Sequence, residues 1–207
     1  MLKYAFSFLL FLLSAASYSA DFVAGKDYEL INSTEPANHS PGVIDVTEFF
    51  SFGCPWCYRL EPALLQWLEK NKNQIQFKKM PVIFNKDWEI YAKTFFIAKA
   101  MSMNETLNPA LFKAILTDKQ KLNTQDAMIH FLSQHGIEES ITKGAFTHSP
   151  SIDLDVSQSQ TLMARYHINA VPAFVVNDTF KTDLQMAKTE GHLFAILDYL
   201  ITNSSDK

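Results

Sequence analysis

Cys54 and Cys57 are the only cysteines in the 207-residue chain. The tetrad Cys54-Pro55-Trp56-Cys57 follows an apolar run ending at Phe52 and opens a stretch of helical periodicity. A thiol at a helix N-terminus meets unsatisfied backbone N–H groups and the positive end of the helix dipole, both of which favour the thiolate. Pro55 suits the first helical position, where a missing N–H costs nothing. This arrangement predicts Cys54 as an exposed attacking thiolate and Cys57, one turn inward, as a buried resolving thiol. Each unit by which the thiolate pKa falls favours the reduced pair by about 1.4 kcal/mol, or roughly 30 mV for a two-electron couple. A strongly acidic Cys54 therefore makes an oxidant.

Two other uses of the pair fit less well. Structural zinc needs four ligands, yet there is no second cysteine pair, and none of His39, His130, His135, His148, His167 and His192 lies at a ligand spacing from either cysteine. A disulfide closing a four-residue loop would stabilise the fold by only roughly 2 kcal/mol in the chain-entropy model. The redox reading has the strand-then-helix context as well as the spacing.

The elements that must position the tetrad follow from periodicity. Val43 to Phe52 reads as a strand whose even face carries Ile44, Val46, Glu48, Phe50 and Phe52, so Glu48 is expected to be buried. Cys54 to Lys70 reads as a helix through Leu60, Leu64, Leu65 and Leu68, with a kink expected at Pro62. Ile75 to Ile83 reads as a second strand with Ile75, Phe77, Lys79 and Ile83 on one face. The β-α-β unit favours a parallel pair that could set Glu48 beside Lys79. A buried carboxylate needs a partner; a buried ion pair and a proton relay to Cys57 are compatible roles for Glu48.

Farther along, Trp88, Tyr91, Ala92, Phe95 and Phe96 mark an amphipathic helix whose stripe reads as core. Helices are also expected over Leu107 to Leu116, Thr124 to Gln134, Glu138 to Thr147 and Ser151 to His167, with Thr124 and Ser151 as N-caps. Strands follow at Ala173 to Val176 and Thr179 to Thr182 around an Asn177-Asp178 turn, then a helix from His192 to Ile201. Tyr28 to Ile31 is a candidate edge strand, and Asn32 to Gly42 reads as a loop. Pro172 heads a buried apolar strand, where proline is tolerated at a strand start.

The formal charge of −4 gives no broad cationic surface, so nucleic acid is not an expected partner. Lys3, the apolar stretch Ala5 to Leu13 and the small residues Ser14 to Ala20 read as a secretory signal cleaved after Ala16, Ser19 or Ala20. The apolar run is shorter than the ~20 residues of a transmembrane helix. Such a chain works in an oxidising compartment.

Glu48-Phe49-Phe50-Ser51-Phe52, the cysteine tetrad, Tyr58 and Glu61 after it, and Val171-Pro172 before a late strand together resemble the DsbA family of thiol:disulfide oxidoreductases. The resemblance implies an α/β thioredoxin fold with an inserted all-helical domain. It would divide the chain into a signal at 1–20, a first half at 21–85, an insertion at 86–149 and a second half at 150–207. It implies a cis bond before Pro172, Cys54 as nucleophile, Cys57 as resolving thiol, and Glu48, Glu61 and Lys79 as tuning charges. Pro55, Trp56, Val171 and Pro172 would meet substrate. The implied activity is donation of a disulfide to reduced, unfolded exported proteins in the periplasm by a monomer without cofactor, reoxidised by a DsbB-like membrane quinone reductase. A reductase or isomerase of the same fold, or a non-redox peptide-binding module, are the alternatives. Where the best-known member has Pro-His between its cysteines this chain has Pro-Trp. A neutral indole cannot supply a histidine's support for a thiolate, and Cys54 is expected to be less acidic.

Overall fold

The computed structural model describes residues 22–31 and 43–204; the expected signal and the Asn32 to Gly42 loop lie outside them. Strand β1 (Glu29–Leu30) precedes β2 (Ile44–Phe50), helix α1 (Pro55–Asn71) and β3 (Ile75–Pro81). Strands β2 and β3 pair in parallel, with Glu48 opposite Lys79. Both strands end two residues sooner than periodicity suggests. The Ser51 carbonyl turns to accept the Cys54 N–H at 3.0 Å, while the Val82 N–H still donates to the Phe50 carbonyl at 2.8 Å, one residue past Pro81. Helix α1 runs on through Pro62.

Helices α2 (Lys86–Ala100), α3 (Asn104–Phe112), α4 (Gln125–Gln134) and α5 (Glu139–His148) follow, then α6 (Pro150–Arg165). Thr124 caps α4 as expected, accepting from the Ala127 N–H at 3.3 Å. Ser151 does not cap α6. Pro150 occupies the first turn, where its fixed φ starts the helix earlier, and the Ser151 hydroxyl instead pairs with that of Ser149 at 3.1 Å. The helix expected over Leu107 to Leu116 is α3 followed by a π-helical turn at Lys113–Thr117.

The chain returns through β4 (Ala173–Val176) and β5 (Phe180–Asp183), then α7 (Leu184–Ala187) and α8 (Glu190–Ser204). The sheet order is β1-β5-β4-β2-β3, with β4 antiparallel to both β2 and β5. Asn177 and Asp178 turn the β4–β5 hairpin at φ of 47° and 50°, a left-handed geometry these two residue types tolerate. The short α7 had no periodic signal of its own; Asp183 caps it by accepting from the Met186 N–H at 2.8 Å.

Three apolar clusters position the site. Ile44 and Val46 pack with Leu60 and Leu64 of α1 and Leu193, Leu197 and Leu200 of α8. Phe49, Ala173 and Val175 face Tyr166 and Ile168. Phe50, at the end of β2, and Phe52, two residues beyond it, enter a third cluster with Tyr91, Phe95, Phe96, Leu111 and Phe112 of the helical layer. The aromatic stripe of α2 is therefore core, fastened to the strand that leads to the cysteines. Among the described residues no helix is long and apolar enough to cross a membrane.

Candidate active site

Cys54 is the N-cap of α1 and Cys57 lies in its first turn. The Cys57 N–H donates to Cys54 Sγ at 3.1 Å, and Cys54 Sγ donates to the Val171 carbonyl at 3.5 Å. Both sulfurs are free thiols. Cys57 is buried as expected, but Cys54 is only 4 % exposed. The Val171 carbonyl, in the loop before Pro172, lies against the Cys54 sulfur and contributes to that burial. The Val171-Pro172 bond is cis.

The two sulfurs are driven apart in acidity. Cys54 is lowered, chiefly by the hydrogen bond from the Cys57 thiol; burial opposes this, and the N–H groups of Cys57 and Trp56 reinforce it. Cys57 is raised well above an ordinary thiol, first by burial and then by the Cys54 sulfur and the Glu48 charge. The helix N-terminus thus supports the Cys54 thiolate without a histidine at position 56.

Beneath the pair lies a buried charge cluster. Lys79 Nζ is 3.2 Å from Glu48 Oε2 and pairs with Glu61 Oε1. It also sits 4.9 Å from the Phe50 ring centroid and 5.9 Å from that of Phe112, a placement that adds cation–π attraction. Glu48 is fully buried, and its oxygens accept no well-aligned hydrogen bond from the described residues. Burial pushes its pKa up to about 7, Lys79 pulling it down and Glu61 adding to the rise. Lys79 is itself opposed by burial, but Glu48 and Glu61 hold it above the usual lysine value. Tyr58 stacks on Phe112 at 5.5 Å, tying α1 to the helical layer.

Gly53 was legible only as a turn. Its role is close approach: a Cβ there would lie 2.4 Å from Trp88 Nε1. Gly53→Ala is expected to push the indole or the cysteine turn aside and destabilise by about 1–3 kcal/mol, read as a lowered thermal midpoint; an unchanged midpoint would show that the indole yields freely.

On the other side, Trp56 is 58 % exposed and lines an open groove of about 800 Å³ with Arg59, Val171, Leu184, Lys188 and Glu190. Arg59, Leu184, Lys188 and Glu190 had no signal in the sequence, because the groove joins α1 to a segment about 130 residues away. None of the histidines of the described residues joins the cysteines or the groove; His192, for one, lies 3.4 Å from Asp27. Pro55, Trp56, Val171 and Pro172 all fall at the cysteine rim, whereas Glu48, Glu61 and Lys79 converge below it.

Comparison with known proteins bears on this arrangement. A model of the DSBA-like thioredoxin domain matches residues 45–190. The chain belongs to the DsbA family. It is 35% identical over 195 residues to the thiol:disulfide interchange protein DsbA of Burkholderia cepacia, covering 94% of this chain and 91% of that one. The DsbA of Pseudomonas aeruginosa is 30% identical over 190 residues, 92% of this chain and 89% of its own. Its crystal structure superposes with a TM-score of 0.81 at 30% identity, covering 88% of this chain and 94% of that chain. The Xylella fastidiosa DsbA structure, 21% identical, shares the fold with a TM-score of 0.81 over 89% of this chain and 98% of that chain. DsbA-family membership makes this protein a thiol:disulfide oxidoreductase and its fold thioredoxin-like with a helical layer.

Proposed function

We propose that the protein donates the Cys54–Cys57 disulfide to reduced, unfolded proteins exported to the periplasm, acting as a monomer. The observation that carries this reading is the placement of Cys54 at the N-terminus of α1, its Sγ accepting from the Cys57 N–H at 3.1 Å, over a fully buried Cys57, a geometry that lowers the first sulfur and raises the second. A substrate thiolate attacks Cys54 Sγ; the Cys54–Cys57 bond breaks, and its electron pair goes to Cys57, which takes up a proton. A second substrate thiolate then attacks the substrate sulfur of the mixed disulfide, and Cys54 departs as a thiolate. Two substrate thiols are oxidised and the enzyme pair is reduced. A low-pKa thiol leaves faster, so a lowered Cys54 favours handing the disulfide on.

Cys54 is the nucleophile of the reverse direction and the sulfur that substrate engages; Cys57 is the resolving thiol. Glu48, with Glu61 and Lys79, tunes the pair and relays the Cys57 proton. Trp56, Pro55, Val171 and Pro172 form the rim against which the substrate segment lies. Residues 86–149 act as an insertion between thioredoxin-fold halves at 21–85 and 150–207. The reduced pair is returned to the disulfide by a DsbB-like membrane quinone reductase.

Equilibration of the pair with glutathione tests this. The expected potential lies far above thioredoxin's roughly −270 mV, so that the reduced form dominates at ratios where thioredoxin is oxidised. A potential near thioredoxin's would instead mark a reductase and end the oxidase reading.

A further inference from the structure

The groove beside Cys54 has a charge pattern that the redox chemistry does not use. Arg59 and Lys188 contribute two cations and Glu190 one anion to its lining, leaving it locally positive on a chain whose formal charge is −4. Arg59 Nε donates to Glu190 Oε1 at 2.9 Å, linking the second turn of α1 to the first residue of α8. The guanidinium carbon lies 5.4 Å from the Trp56 ring centroid, which sets the cation beside the exposed indole of the rim. Of the described residues, only Glu190 hydrogen-bonds the Arg59 guanidinium, through one of the five donors the group carries. Lys188 is exposed, held at φ 66° at the end of α7, and forms no ion pair among the described residues.

We propose that the Arg59–Glu190 pair is a charge selector at the mouth of the substrate groove, favouring polypeptide segments whose cysteine is flanked by an acidic residue. The proposal rests on the oxidase reading above. The Arg59 side chain is 67% exposed and that of Glu190 33%, and solvated pairs of this kind are worth only about 0–1 kcal/mol. A substrate carboxylate can therefore take Glu190's place on the guanidinium at little cost, with Lys188 supplying a second attraction. A basic flanking residue meets two cations and must compete with Arg59 for Glu190. The planar guanidinium suits a carboxylate better than a point charge does.

The test uses two synthetic peptides, each with two cysteines and differing only in a Glu or a Lys beside the first. Their oxidation by the oxidised protein is followed as kcat/KM. The wild type is expected to prefer the Glu peptide by about fivefold at low ionic strength, a preference that shrinks in about 0.5 M salt. Arg59→Gln leaves Glu190 unpaired and should lower the Glu/Lys ratio, while Glu190→Gln unmasks Arg59 and should raise it. Local damage to the groove would move both ratios the same way, and that outcome, like an unchanged ratio in both variants, overturns the selector. Equal oxidation of both peptides by the wild type overturns the selector alone. If neither peptide is oxidised, or Cys54→Ser oxidises them as well as the wild type, the oxidase reading fails.

Discussion

Replacing Lys79 by methionine is expected to destabilise the protein by about 3–5 kcal/mol at pH 8, the usual cost of removing one partner from a buried ion pair. The aliphatic stem is retained, so the loss is one of charge rather than volume. Glu48 is fully buried and lies 3.2 Å from the ammonium, which also pairs with Glu61. Without Lys79, burial and the Glu61 charge, both of which raise the Glu48 pKa, act unopposed, and Glu48 titrates above 7. At pH 8 the variant must either hold an unpaired buried carboxylate or bind a proton that the unfolded chain does not. Below about pH 5 Glu48 is neutral in both proteins, and because it titrates near 7 in the wild type the difference should shrink by about 1 kcal/mol from its value at pH 8. Urea unfolding at the two pH values checks this. A loss of equal size at both would mean that the Glu48 charge is not what Lys79 compensates.

The cluster also shows what the sequence could and could not say. Glu48 and Lys79 announced themselves because each interrupts an otherwise apolar face of a strand, and the β-α-β rule set those strands side by side. The register then placed them directly opposite. The tetrad was equally legible, since spacing and context both pointed to redox chemistry. The depth of Cys54 was not: its burial depends on the loop before Pro172, more than a hundred residues away, folding over the helix N-terminus. The groove was hidden for the same reason, because α7 is too short to show a period and Arg59 looks like any exposed helical arginine. The aromatic stripe of α2 was rightly read as core, yet the contact that mattered there, Trp88 against Gly53, needed the tertiary fold to be seen. Ser151 failed as a cap because a local rule about serine lost to a stronger one about Pro150 at the helix start.

Glu48→Gln should separate the relay from the ion pair. In the wild type Glu48 titrates near 7, raised above its ordinary value by burial, so the folded protein holds this proton after the unfolded chain has released it. Stability from this group is therefore fully present below about pH 4.5 and is lost as pH rises through 7. Glutamine carries no such proton. The stability of the variant relative to the wild type should accordingly rise between pH 4.5 and 7, by about 1–3 kcal/mol. The chemistry should move the other way. When substrate attacks Cys54 Sγ, the departing Cys57 sulfur is a poor leaving group, because burial and the charges around it raise its pKa. A neutral Glu48 can supply the proton, and the amide cannot, so the rate of disulfide donation should fall by up to about a hundredfold, at the low end for general acid catalysis. Its pH profile should also lose the inflection near 7 that Glu48 imposes. Thiolate absorbance gives a third readout. The Glu48 charge opposes ionisation of Cys54, so Cys54 should become more acidic in the variant. A slower enzyme with a more acidic Cys54 and a flat profile is the signature of a lost proton donor. A variant that keeps the wild-type inflection would return Glu48 to the role of ion-pair partner alone.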